Sequence, residues 1–197
     1  MLTQDKLTPL GRKFCSMIEF DKQEQLMLEI RRHWFGLFLI QLLGGLIILG
    51  VFGTMVLWLS SADLGSIFGE GTGINYEDMR QIGILMGFII TVGAIIATGV
   101  GIFLYTSNVV LVTSEKIAQL LYISIFNRKI SQLHISDIQD VTVQQKGILA
   151  HLLNYGSLVI ETAGEQDNYL FTFTPKPYES AKLIIESREN NAQLHGN

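Results

Sequence analysis

Two runs without a formal charge dominate the pattern of apolar and polar positions. No Asp, Glu, Lys or Arg stands between Arg32 and Asp63, and none between Arg80 and Glu115. A helix needs roughly 20 mostly apolar residues to cross about 30 Å of hydrocarbon. Both runs are longer, so the pattern predicts two transmembrane helices, at residues 34–60 and 83–106, joined by an extracytoplasmic loop at 61–82. Residues 1–33 precede them as a cytoplasmic N-terminal segment, 107–190 follow as a separate folded part, and 191–197 form a polar tail. Trp34, Trp58 and Tyr105 stand where aromatic side chains anchor a helix at the membrane interface.

After Tyr105 the period changes from helix to strand. Asn108–Thr113 is β-branched and apolar, and Ala118–Phe126 is apolar on both alternations, as a strand packed on two sides would be. A turn at Asn127–Lys129 precedes two further candidates, Ile130–Ile135 and Ile138–Val143. Tyr155–Thr162 and Tyr169–Thr174 alternate clearly, with Gly164–Asn168 supplying turn chemistry between them. Pro175 and Pro177 end the strands, and Tyr178, Ala181, Ile184 and Ile185 then form one apolar helical stripe. The predicted class is an α+β membrane protein: a two-helix transmembrane hairpin followed by an antiparallel sheet or partial barrel closed by a C-terminal helix.

Charge sets the orientation. Arg31 and Arg32 lead into the first helix, and Lys116, Arg128 and Lys129 follow the second. The connecting loop carries Asp63, Glu70, Glu77 and Asp78 against Arg80 alone. The positive-inside rule then predicts a multi-pass protein of the bacterial cytoplasmic membrane with both termini in the cytoplasm. The acidic residues before the first helix do not fit a cleaved leader. Leu10, Phe14, Met17 and Ile18 allow either an amphipathic helix on the membrane surface or a loosely ordered leader.

The net charge of −4 argues against nucleic acid as a partner. At membrane depth the polar residues are only Gln41, Thr54, Thr91 and Thr98, without the ionisable groups that mark ion or proton pathways. Gly69–Gly73 has neither the lysine nor the preceding strand of a phosphate loop. His33, His134 and His151 lack metal-ligand spacing, and Cys15 is a lone cysteine read as a small hydrophobe. Asp137 and Asp140 read as turn caps, and no nucleophile motif is present. The expectation is therefore no catalytic residue, no metal and no cofactor.

Two groups of residues remain. Gly93, Ala97 and Gly101 recur every fourth position, a spacing that lets helices approach closely, either within the chain or between copies. Lys116, Arg128 and Lys129 are candidate lipid-headgroup contacts or solvated turn charges.

The strings Ile138–Gln145, Gly147–Leu149 and Asn154–Gly164, with Arg31–Trp34 at the start of the first helix, resemble the bacterial PH-like (YdbS-type) two-helix membrane proteins. The resemblance covers roughly Glu24 to Glu189 and implies a pleckstrin-homology-like fold on a two-helix anchor. Asn154 stands where that pattern commonly has glycine, and asparagine tolerates the left-handed conformation such a turn needs. Three functions compete: a non-catalytic adaptor binding a membrane protein partner or its own copy, an anionic-lipid sensor in contact with the bilayer, and a subunit of a small homo-oligomeric pore or transporter.

Overall fold

The computed structural model describes residues 7–19, 24–60, 76–162 and 169–195. They fall into two compact units, Met1–Leu37 with Leu104–Asn197, and Phe38–Phe103.

The first unit holds seven strands in two antiparallel sheets. β1 (Leu26–Arg31), β2 (Val109–Thr113), β3 (Lys116–Tyr122) and β4 (Arg128–His134) pair in that order, and β5 (Ile138–Gln144), β6 (Tyr155–Thr162) and β7 (Tyr169–Pro175) form the second sheet. A short helix α1 (Pro9–Cys15) precedes β1, and a C-terminal helix α5 (Pro177–His195) follows β7. Ile30, Val112, Ile117, Leu158, Ile160 and Ile184 are among the residues of the main core, which joins both sheets to α5.

β1 corrects the sequence reading, which placed the whole sheet after the helices. Leu28 and Ile30 alternate inward, but Glu29 and Arg31 made this stretch look like polar leader. Its ladder to β2, from Leu26↔Thr113 to Arg31↔Val109, spans the entire helical segment in sequence. No local pattern reveals such a pairing. The domain is thus assembled from both sides of the apolar helices.

The outer face of the four-stranded sheet is covered too. Val109, Leu111, Ala118 and Leu120 pack against Leu7, Phe14, Cys15 and Ile18. This explains the two-sided apolar pattern of β3, and it replaces both expectations for the N-terminal residues. Phe14 is fully buried in protein rather than facing lipid or water. Thr8 caps α1 by accepting the Gly11 N–H at 3.1 Å, and Glu29 accepts the Thr8 N–H at 2.9 Å, so β1 itself anchors the helix. A side chain at Gly11 would meet the Glu29 carboxylate at 2.6 Å, so that carboxylate would have to move from its place beside Thr8.

Three boundaries also differ. β3 leaves its ladder after Tyr122, so Ile123–Phe126 are turn, and Arg128 and Lys129 begin β4. The Gly147–Asn154 segment contains a one-turn helix, α4 (Ile148–Leu152), and Asn154 does adopt a left-handed φ of 53°. α5 continues through Asn190 to His195, into the residues read as a polar tail; Asn191 Nδ2 donates to the Ser114 carbonyl at 3.2 Å and ties that end down.

The second unit contains most of α2 (Trp34–Ser60) and α3 (Tyr76–Thr106). Both are long and apolar enough to cross a membrane, with mean hydropathies of 2.4 and 2.3. Only 11% and 0% of their most apolar windows is buried within the structure. α3 starts before the predicted residue 83, because hydropathy marks only the apolar part of a helix. Residues 61–75 and the Gly164–Asn168 turn lie outside the described residues.

Within this unit the packing seam differs from the predicted ridge. A side chain at Gly44 would strike Thr98, one at Gly83 would strike Trp58, and one at Gly101 would meet Ile40 at 3.3 Å. Gly93 has nothing within 4 Å and Ala97 is exposed. Four residues turn a helix by roughly 40° more than a full circle, so a strict every-fourth ridge drifts off the contact line. Gly83, Gly87, Thr91, Ala94 and Thr98 follow steps of four broken by one step of three and stay on it, each half-buried.

Candidate functional site

Chain connectivity gives the domain two distinct ends. β1 ends at Arg31 and α2 starts at Trp34; α3 ends at Thr106 and β2 starts at Val109. Both helices are therefore rooted at one end of the four-stranded sheet. The β2–β3 turn and the Lys116↔His134 pair lie at the other.

The root is built from rings and backbone bonds. Tyr155 stacks on His33, Phe35 and Phe173, with centroids 5.3, 5.4 and 5.4 Å away, and Phe173 meets Tyr105 edge-on at 6.0 Å. The His33 N–H donates to the Phe173 carbonyl at 2.6 Å, and the Tyr105 hydroxyl donates to the His33 carbonyl at 2.6 Å. Arg31 Nη2 reaches the Thr106 carbonyl at 2.7 Å, and the Arg32 guanidinium lies 5.3 Å from the centre of the Tyr105 ring. Phe173 sits at φ 55° in a bulge of β7, a conformation that costs a bulky residue about 1–2 kcal/mol. The strain aims its carbonyl at His33. No strand pattern announces such a bulge.

His33 Nδ1 accepts the Phe35 N–H at 3.2 Å, so this nitrogen is unprotonated. Burial lowers the His33 pKa below 6.5, and a hydrogen bond to the Leu153 backbone opposes that only in part. The unfolded chain takes up this proton near pH 6.5 and the folded chain only at lower pH. The stabilisation is thus complete above about pH 6.5 and declines as pH falls below it. Thermal unfolding of the solubilised protein should show a midpoint that drops between about pH 7 and about pH 5, with a flatter profile in His33→Gln.

A second feature lies between β5 and α5. Among the described residues, β5 pairs only with β6, which leaves its other edge open. An open groove of about 560 Å³ runs beside it, lined by Val141, Val143, Tyr178, Ala181, Ile185 and Glu189 among others. The Val141 N–H bonds the Asp140 carboxylate at 2.8 Å, and the Gln139 carbonyl takes Arg188 at 3.3 Å. Backbone groups of odd-numbered β5 residues therefore face away from β6. This is an edge able to accept one more strand, with an apolar helix face alongside it.

Comparison with known families adds one finding. Residues 38–192 match the bacterial PH domain, which is well over half of the chain. The chain belongs to the bacterial PH domain family. No curated protein and no solved structure matches it. In this bacterial PH domain α2 and α3 form the connection between the first and second strands, and β1 lies ahead of the matched residues.

The three predicted headgroup contacts do not converge in this domain. Lys116 is 8% exposed, its ammonium lies 3.0 Å from the fully buried Glu24 carboxylate, and it donates to the Glu19 carbonyl. Arg128 and Lys129 are exposed at the opposite end of the same hairpin, six residues or roughly 20 Å along the strand. Spacing in sequence placed the three together because it ignores which end of a strand each occupies. Asp140 serves its own backbone and Thr142, as a turn-type carboxylate does. Among the described residues no three His, Cys, Asp or Glu lie close enough to hold a metal ion. The cavity between β1–β3 and β7 measures about 30 Å³, room for a single water.

Proposed function

We propose that this bacterial PH domain protein is a membrane-anchored, non-catalytic adaptor that holds its domain at the cytoplasmic face and binds an extended segment of a membrane protein partner. The observation that supports this reading is the open edge of β5 beside α5. An added strand there gains main-chain hydrogen bonds, and Val141, Val143, Tyr178 and Ile185 offer apolar contact to its alternate side chains. The bases flanking the two apolar helices favour the cytoplasmic placement.

The test uses the full-length chain in its native membrane, since cutting at the helices would strip β2 from β1. A photo-crosslinking residue replaces Ile185, which is 41% exposed and not part of the main core. One discrete protein should be captured, and Tyr178→Ala with Val143→Glu should abolish its capture. Recovery of the chain itself or of lipid alone, equal with and without those changes, would sink the adaptor reading.

A further inference from the structure

Among the described residues of the domain, the three most exposed large apolar side chains, Phe126, Ile148 and Leu152, gather at one end, while Met17, Leu170 and Ile185 lie elsewhere. The β3–β4 turn presents Ile123, Ile125 and Phe126, the last 97% exposed, where turns ordinarily carry Gly, Asn, Asp or Ser. α4 presents Ile148, Leu149 and Leu152, with Ile148 86% exposed. The register places the first group just beyond the Tyr122↔Arg128 pair, starting three residues after Leu120, the partner of Val109, at the helix-rooted end of the four-stranded sheet. The second group lies at the same end, because α4 leads through Leu153 into Tyr155, which stacks on His33 and Phe35. Two elements from different sheets thus expose aliphatic and aromatic side chains beside the residues from which α2 and α3 depart.

Bases outnumber acids at the rooted end: Arg31, Arg32, Arg128, Lys129 and Lys146 stand there, along with the Lys176–Glu179 ion pair. Glu115, Asp137, Asp140 and Glu161 lie toward the other end, with Lys116 and Arg188 among them. Bases just behind an apolar tip suit an anionic lipid surface, where the side chain enters the headgroup layer and the cation meets phosphate.

We infer that the β3–β4 turn and α4 form a lipid-inserting rim, which seats this end of the domain in the anionic interface of the same bilayer that α2 and α3 cross. The rim rests on the membrane reading of those helices and is separate from the β5–α5 groove. It fixes the domain against the membrane at two points besides the helix roots. The groove is then presented at a set height.

The experiment uses purified full-length protein in phosphatidylcholine–phosphatidylglycerol vesicles. Single cysteines carry a polarity-sensitive fluorophore at Phe126→Cys, Leu152→Cys, Ser136→Cys and Leu46→Cys; the native Cys15 is buried. Labels at 126 and 152 should emit blue-shifted light and be quenched by lipids bearing a nitroxide on the acyl chain, while 136 at the far end should do neither. Position 46, within α2, reports the anchor. Quenching at 46 without quenching at 126 and 152 overturns the rim alone, and no quenching at 46 overturns the anchor and the rim together. Shielding of 126 and 152 only in vesicles made from native membranes assigns the surface to a protein and also overturns the lipid rim. Two labelled rim positions on separate elements guard against one substitution disturbing its own turn, and circular dichroism checks that each variant is folded.

Discussion

Glu24→Ala is expected to lower the unfolding free energy of the domain by about 3–5 kcal/mol, the usual cost of removing one partner from a buried ion pair. The Glu24 carboxylate is fully buried 3.0 Å from the Lys116 ammonium, and Thr113 Oγ1 bonds it as well. Removing it takes from the Lys116 ammonium its carboxylate at 3.0 Å, at the end of the sheet opposite the helix roots. Replacing both partners, with Glu24→Leu and Lys116→Met, should recover most of the loss, because neither charge then needs compensation. Denaturant unfolding of the solubilised chain measures all three variants. A midpoint that stays put in Glu24→Ala would contradict the pair and return Lys116 to the candidates for a surface role.

Phe14→Ala carries the second large effect, about 3–5 kcal/mol from lost transfer energy and the cavity left behind. Phe14 is 0% exposed against the outer face of the four-stranded sheet. An N-terminal helix lying on the membrane would give a different result: the same substitution would leave unfolding unchanged and weaken only lipid association. The two outcomes separate on one melting curve. A secondary sign is the Cys15 thiol, whose pKa is raised by burial and by Glu24. Its alkylation should be slow in the parent chain and accelerate in Phe14→Ala as α1 loosens.

Much of this architecture was legible in local pattern. The two apolar helices follow from length and charge alone, since few other structures need such runs. β6 and the start of α5 were readable because alternation and a proline-led helix are local signals carried by residues such as Leu158, Ile160 and Pro177. The bacterial PH resemblance rested on the strings around Asn154–Gly164 and agreed with the family match. What failed was long-range. Leu26–Arg31 has a strand's alternation, yet its partner Val109–Thr113 lies beyond both helices. Ile123–Phe126 has a strand's composition, but the chain turns there and exposes it.

The candidate sites divide along the same line. Sequence supplied the residue types: bases near helix ends, small residues in α3, an apolar stripe on α5. Only the fold decided that Lys116 neutralises Glu24 inside the domain while Arg128 and Lys129 stand at the helix roots. Only the fold left one edge of β5 open beside α5 among the described residues, and only the turn of α3 chose Thr98 and Gly101 over Gly93 and Ala97 for contact with α2. Helix hydropathy and strand propensity depend on neighbours within a few residues, so composition and period determine them. Which end of a strand a charge occupies, which edge stays open and which helix face meets its partner depend on pairings across the whole chain, and these exist only once the backbone has closed on itself.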